Sequence, residues 1–201
     1  DEAATGQIIY QLLKELGAEP DPAEGEAIYA AITTDTGDFT YSNTQKKSHQ
    51  IVAELYDWGC DFNKVSVEIY ENVRVEKIRM HAGAMETLRL IGGGKGALVS
   101  VTQKLLADTG AKMDESEGLA QDLRSISGVE FAAVLKEYGP ENIRVSFRAK
   151  RLGNVAEIAA NLGGGGHLKA AGCTIKAPMA RAEAMVEKEI LKAIERLETD
   201  E

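Results

Sequence analysis

Gly163-Gly164-Gly165-Gly166-His167-Leu168-Lys169-Ala170-Ala171-Gly172 is the stretch on which the reading of this chain turns. Four consecutive glycines cost backbone entropy and contribute no side chain, so packing alone does not explain them. They offer a backbone that can come close to a ligand, with unblocked N–H groups. The alanine-rich piece after His167 reads as a helix, which would put those N–H groups at a helix N-terminus, an anion site. A flexible linker is the plain alternative, but linker glycines are usually interleaved with Ser and other polar residues. Here an apolar helical stretch, Val155 to Leu162, precedes the glycines, and a small-residue strand, Gly172-Cys173-Thr174-Ile175, follows. The expectation is a phosphate cradle.

Just upstream, Phe131–Leu135 and Ile143–Lys150 read as paired strands around a Gly139-Pro140 turn. The second alternates with period two, setting Ile143, Val145, Phe147 and Ala149 on one face and Arg144, Ser146, Arg148 and Lys150 on the other. A solvated sheet surface would account for the polar face. Three cations without an opposing charge are unusual in an acidic chain, and a basic strand beside a glycine loop suits a phosphorylated ligand. Further upstream, Leu88–Ile91 and Ala97–Val101 flank Gly92–Gly96 as a β-hairpin. The glycines between them lack the GxxxxGK[ST] spacing of a P-loop. Two short helices are expected at Gln103–Leu106 and Gly118–Ser125, and Met179–Leu197 closes the chain as an amphipathic helix.

The N-terminal part reads as helical. Ile8, Ile9, Leu12, Leu13 and Leu16 recur at helical spacing before Gly17, and Asp21-Pro22 opens a second helix. Thr33 to Thr44 forms a polar connection, with Asn43 or Thr44 expected to N-cap a third helix that ends at Gly59. A helical stretch over Phe62–Tyr70 and another over Glu76–Leu90 follow. Within the polar connection, Asp35 reads by itself as a turn residue bonding nearby backbone N–H groups.

Composition bounds the function. The 201 residues carry a net charge of −9 and are 44% apolar, enough for a core but without a broad basic face for long nucleic acid. Any nucleic-acid ligand is therefore expected to be short and held locally. No apolar run reaches membrane-spanning length, and Cys60 and Cys173 lack metal-ligand spacing, so a cytoplasmic protein with reduced thiols and no membrane partner is expected.

Together these motifs resemble the DHH phosphoesterase superfamily, in the branch that carries a DHH-associated domain. Thr34-Asp35-Thr36-Gly37-Asp38-Phe39 with Tyr41-Ser42-Asn43-Thr44 resembles the family's fourth motif. Ser146-Phe147-Arg148-Ala149-Lys150, with Gly163–His167 and Ala170-Ala171-Gly172, resembles the associated domain's substrate strand and loop. The nearest type is the nano-RNase group, oligoribonucleases that are also 3′-phosphoadenosine 5′-phosphate phosphatases. The Asp-His-His triplet and the family's first three motifs do not occur in this sequence.

The resemblance implies an α/β fold: the remainder of a DHH α/β domain over residues 1–75, a linker helix over 76–88, and a DHH-associated domain with a mixed sheet and flanking helices over 89–201. It implies a Mn²⁺-dependent (or Mg²⁺-dependent) phosphoesterase acting on short oligonucleotides or nucleoside 3′,5′-bisphosphates. Asp35 would be a metal ligand and catalytic, and the other ligands would lie outside these residues, leaving this chain alone inactive. Ser146, Arg148, Lys150, Gly163, Gly164, Gly165, Gly166 and His167 would bind substrate, with His167 also stabilising charge in the reaction. A homodimer is compatible with this reading. A non-catalytic nucleotide-binding module, a RecJ-like exonuclease and a cyclic-dinucleotide phosphodiesterase are the alternatives. His49 and His81 match no ligand motif.

Overall fold

The computed structural model describes residues 2–18 and 21–199 and divides the chain into two compact units, Asp1–Val73 and Arg74–Glu201. In the first unit the described residues build helices α1 (Thr5–Glu15), α2 (Pro22–Asp35), α3 (Lys46–Asp57) and α4 (Phe62–Ser66). Helix α2 starts where Asp21-Pro22 indicated. The Asp21 carboxylate accepts the Glu24 N–H at 2.8 Å while Glu24 accepts the Asp21 N–H at 3.0 Å, a reciprocal cap. Ile28, Tyr29 and Ile32 of α2 pack with Tyr10, Ile51, Leu55 and Phe62 into this unit's core.

Three local expectations change here. Helix α3 is capped at Gln45, not at Asn43 or Thr44. Asn43 instead points its amide at the Asp35 carbonyl, 3.0 Å away. The helix expected over Phe62–Tyr70 is α4 followed by a wider π-type turn, Val67–Glu71. The apolar spacing of α1 does not mark its buried face either. Tyr10 is 4% exposed, whereas Ile8 and Leu12 are 53% and 50% exposed.

The second unit opens with α5 (Val75–Met85), the helix expected as a linker, whose Met80 and Ala84 are buried in this unit's core. Six strands follow: β1 (Arg89–Ile91), β2 (Gly96–Val101), β3 (Phe131–Gly139), β4 (Asn142–Ala149), β5 (Gly165–His167) and β6 (Ala170–Ile175). Their order in the sheet is β1-β2-β3-β4-β6-β5. Every neighbouring pair is antiparallel except β2 and β3, which are parallel. The crossover between those two carries α6 (Gln103–Thr109) and α7 (Leu119–Ser125), as a parallel pair requires. The glycine stretch Gly92–Gly94 is the turn of the β1–β2 hairpin, as the missing P-loop spacing indicated.

Each face of the sheet has its own core. On one face Phe131, Ala133 and Leu135 join Ile143, Val145, Phe147 and Ala149, together with Cys173 and Ile175. Helices α8 (Val155–Asn161) and α9 (Met179–Thr199) supply Ile158, Val186 and Ile190 to that layer. On the other face Ala97, Val99, Ala132 and Val134 pack with Met80, Leu119 and Leu123. That second core ends at β3. Beyond it, β4, β6 and β5 present polar and small side chains on the same face, and here the β4 motif and the glycine tract of this unit meet.

No helix among the described residues is long and apolar enough to cross a membrane. Cys60 and Cys173 are both free and buried.

Candidate functional site

The glycine tract divides its work in a way the sequence does not announce. Helix α8 ends in a Schellman motif: Gly163, at φ +77°, donates its N–H to the Ala160 carbonyl at 3.0 Å, and Gly164 donates to Ala159 at 2.8 Å. Two of the four expected free N–H groups are therefore consumed in stopping the helix. A Cβ on Gly164 would lie 2.2 Å from the Gly172 carbonyl oxygen, and one on Gly166 would lie 2.5 Å from the Ala171 Cα. Those glycines let β5 close on β6. Gly165 has open space where its Cβ would be.

No helix follows His167. Residues 165–175 form the β5–β6 hairpin instead, so the helix-dipole argument for an anion site does not apply. Alanine and glycine, good and poor helix formers respectively, are here selected for small volume between paired strands. The side-chain carboxamide of Asn154 caps the preceding helix by accepting the Ala156 and Glu157 N–H groups. Lys169, at the hairpin tip, donates to the Gly153 carbonyl at 2.9 Å and tethers the hairpin to the segment after β4.

What gathers the site is strand register. Arg148 on β4 pairs with Ala170 on β6, and Ala170 pairs with His167 on β5. Directly paired residues in an antiparallel ladder share a face, so Arg148, Ala170 and His167 form one row across the sheet. At strand spacings near 4.8 Å, the Cα atoms of Arg148 and His167 are about 10 Å apart. The next row is Val134, Ser146, Gly172 and Gly165. The register thus lays two polar walls, Arg148 with Ser146 and His167, around a floor of Ala170, Gly172 and Gly165. His167 is exposed and its imidazole takes part in no hydrogen bond or ion pair among the described residues.

Arg148 is half-buried and donates to the Phe147 carbonyl at 3.0 Å. Lys150 follows the end of β4, and its ammonium is held by the Ile126 carbonyl at 2.8 Å. Arg144 lies over the Tyr138 ring, 4.3 Å from its centre. Alternation on β4 therefore does give a cationic face, but its three cations are distributed. Arg144 stacks on Tyr138, Lys150 anchors the end of α7 through Ile126, and Arg148 lines a cavity with Lys136 and Ser146.

One residue of this site escaped the sequence reading. Lys136 on β3 lines a cavity of about 310 Å³ with Ser146 and Arg148 on one side and Ser116, Glu117 and Gln121 on the other. Burial holds the Lys136 ammonium below the usual lysine range and Arg148 adds to that, while the Glu117 carboxylate opposes it. The signal was available: Lys136 continues the Ala132, Val134 alternation of an otherwise apolar strand.

In the first unit, Asp35 is the last residue of α2 and is exposed. Its carboxylate makes no hydrogen bond or ion pair among the described residues, so it does not bond the turn it precedes. Asp38 does that work: its N–H donates to the Thr33 carbonyl at 2.7 Å and its carboxylate accepts from the Thr33 hydroxyl at 3.2 Å. Gly37, Asp38 and Phe39 all have φ between +53° and +61°, an uncommon left-handed run for side-chain-bearing residues. Thr36 braces the turn by donating to the Ile32 carbonyl at 2.6 Å and accepting the Phe39 N–H at 3.2 Å. His49 stacks on Phe39, and His81 contacts the Glu115 carbonyl at 2.9 Å, so both histidines have local structural partners.

The described residues contain no group of three or more His, Cys, Asp or Glu that could hold a metal ion. Asp35 brings one carboxylate, and a two-manganese centre does not fit the donors present in these residues.

Residues 94–199 match the DHHA1 domain model. The chain belongs to the DHHA1-domain family. The matched span contains β2 to β6 and α9, hence the whole of the Arg148–His167 surface. The chain is 30% identical over 178 residues to the bifunctional oligoribonuclease and PAP phosphatase NrnA of Thermus thermophilus, covering 87% of this chain and 52% of that protein. It is 29% identical over 177 residues to the protein of the same name from Bacillus subtilis, covering 86% of this chain and 55% of the relative. This chain thus spans about half the length of these curated relatives. A solved structure of an exopolyphosphatase-related protein from Bacteroides fragilis matches with a TM-score of 0.91 at 26% identity, over 98% of this chain and 58% of that one. The mixed six-stranded sheet with flanking helices is therefore the DHHA1 fold, as the sequence resemblance implied.

Proposed function

We propose that the DHHA1 unit binds the phosphate of a short oligonucleotide or nucleoside bisphosphate on the Arg148–Ala170–His167 row, and serves a phosphoesterase. The observation that carries this reading is the register that sets a guanidinium and an imidazole on one sheet face across a floor of alanine and glycine. A guanidinium suits a phosphate because its planar fork can donate two parallel hydrogen bonds. The alanine–glycine floor lets a sugar or base approach the sheet without meeting a side chain. His167 can donate a hydrogen bond to a phosphoryl oxygen and stabilise charge that develops there. Ser146 adds a hydroxyl one row away, and Lys150 positions the strand end through Ile126.

The names of the relatives support an oligonucleotide or nucleoside-bisphosphate substrate. Manganese chemistry in such an enzyme needs donors beyond Asp35, so no step of this reading passes through metal. The chain by itself is expected to bind without hydrolysing. A non-catalytic binding module is the second reading, favoured by the described residues having no group of three or more His, Cys, Asp or Glu that could hold a metal ion.

The test is paired. Calorimetric titration of the chain with 3′-phosphoadenosine 5′-phosphate should show binding that Arg148→Ala weakens and Arg181→Ala, on α9, does not. Incubation with the same compound and millimolar Mn²⁺ should give no turnover. Equal weakening by both substitutions would make the attraction diffuse and remove the site. Turnover at about 1 per second or faster, an ordinary enzymatic rate, would overturn the binding-only expectation for this chain.

A further inference from the structure

The cavity beside Arg148 contains a cation with no hydrogen bond or ion pair among the described residues. Lys136 is half-buried and lines this space, yet its ammonium makes no hydrogen bond and no ion pair among the described residues. Half-buried lysines normally reach a carboxylate, a carbonyl or water with their charged head. The nearby lysines behave that way: Lys150 holds the Ile126 carbonyl and Lys169 holds the Gly153 carbonyl.

Lys136 also sits among like charges. Its cross-strand partner on β4 is Arg144, and Arg148 lines the same cavity. Like charges directly opposite in a ladder are destabilising. The charged groups around it are Arg144 and Arg148 from β4 and Glu117 from the segment before α7, and Glu117 is exposed. Two cations with one exposed carboxylate leave net positive charge in a space of about 310 Å³. That volume is at the lower end of small-molecule sites. Ser116, Gln121 and Ser146 add neutral hydrogen-bonding groups on its walls.

We propose that Lys136, Ser146 and Arg148 form a phosphate-binding subsite in this cavity, with Lys136 as its second cation. The inference rests on Arg148 binding phosphate, and extends that site from the β5 side of Arg148 to the α7 side. Lys136 donates to the phosphate oxygens that the Arg148 fork leaves open. Bound phosphate supplies the missing counter-charge, and Gln121 and Glu117 then face whatever the phosphate carries. A ligand with two phosphates a sugar apart could use the two sides of Arg148 together.

The experiment follows the Lys136 side chain by ¹³C NMR at Cε in the intact chain, with inorganic phosphate, AMP and adenosine as probes. Phosphate and AMP should both shift the Lys136 signal and raise its titration midpoint, and adenosine should do neither. AMP alone producing the effect means that the subsite needs a phosphate ester, whereas equal responses mean that free phosphate is sufficient. In calorimetry, Lys136→Met should weaken AMP binding at least about tenfold, the scale of a lost charge-assisted hydrogen bond. Lys136→Arg should recover most of that loss. Thermal unfolding of each variant checks the fold, and the NMR arm needs no substitution at all. An unmoved Lys136 signal at saturating AMP overturns the subsite. If Arg148→Ala abolishes binding while Lys136→Met leaves it within about twofold, the subsite is wrong and the Arg148 site stands. If neither substitution matters, the phosphate reading of this face fails as a whole.

Discussion

Ala170 is the register partner of both Arg148 and His167, so one methyl group is all that stands between the guanidinium strand and the imidazole strand. The sheet could carry a larger residue there without loss of pairing, because the position lies on the polar and small-residue face of β4, β6 and β5. Ala170→Leu should therefore fold normally and weaken AMP or bisphosphate binding by about tenfold, equal to about 1.4 kcal/mol. Calorimetry beside a thermal melt reads both quantities. Unchanged affinity in a folded variant would mean that ligand does not lie across this row.

The four glycines should separate into two classes under substitution. Gly164→Ala forces a Cβ to within 2.2 Å of the Gly172 carbonyl oxygen, a backbone atom that cannot step aside cheaply. It should destabilise the domain by about 2 kcal/mol or more, as overpacking does. Gly165→Val meets nothing nearby, so its stability should stay within about 0.5 kcal/mol. Any loss of nucleotide binding in Gly165→Val then reports on the surface itself. Equal destabilisation by both would show that the tract acts as one strained unit.

Much of this architecture was legible because it depends on period-two alternation and turn chemistry. Ile143, Val145, Phe147 and Ala149 are buried as their spacing indicated, and Asp21-Pro22 caps α2 as expected. The helix expected after His167 failed because residues of small volume were read by propensity. Ala170 and Ala171 look helical in isolation, but pairing with β4 outweighs a local preference worth only tenths of a kcal/mol per residue. Lys136 stood out locally as a cation continuing the Ala132, Val134 alternation, but its setting, with Arg144 opposite and Arg148 in the same cavity, is a long-range relation.

Burial pushes the Cys173 thiol up from its ordinary value of 9.0 to about 11. An acid whose folded pKa is raised stays protonated in the folded state while the unfolded chain ionises. Stability should therefore be level below about pH 9 and fall between about pH 9 and 11, by up to about 2 kcal/mol. Urea unfolding at pH 8 and pH 10.5 should show the drop, and Cys173→Ser should flatten this part of the profile. At pH 8 the native thiol should also resist alkylation far longer than the unfolded one, since the thiolate is the nucleophile. Rapid alkylation without unfolding would mean that the β6 strand opens locally.

Asp35 occupies a position that local energetics disfavours. It ends α2, where exposed carbonyls give the helix a negative pole, and the last turn of α2 contains no basic residue. Its carboxylate finds no compensating hydrogen bond among the described residues, while its neighbours Thr36 and Asp38 are tied into the turn. A charge kept against the helix dipole and left unpaired costs local stability. Asp35→Asn should therefore stabilise the chain slightly, by about 0.3–1 kcal/mol. Thr36→Val, which removes the hydroxyl that accepts the Phe39 N–H, should destabilise it by about 1–2 kcal/mol. Urea unfolding at neutral pH and low salt measures both, and added salt should shrink the Asp35 effect because the dipole term is screened. Destabilisation of about 1 kcal/mol or more by Asp35→Asn would return the carboxylate to a structural role in the turn.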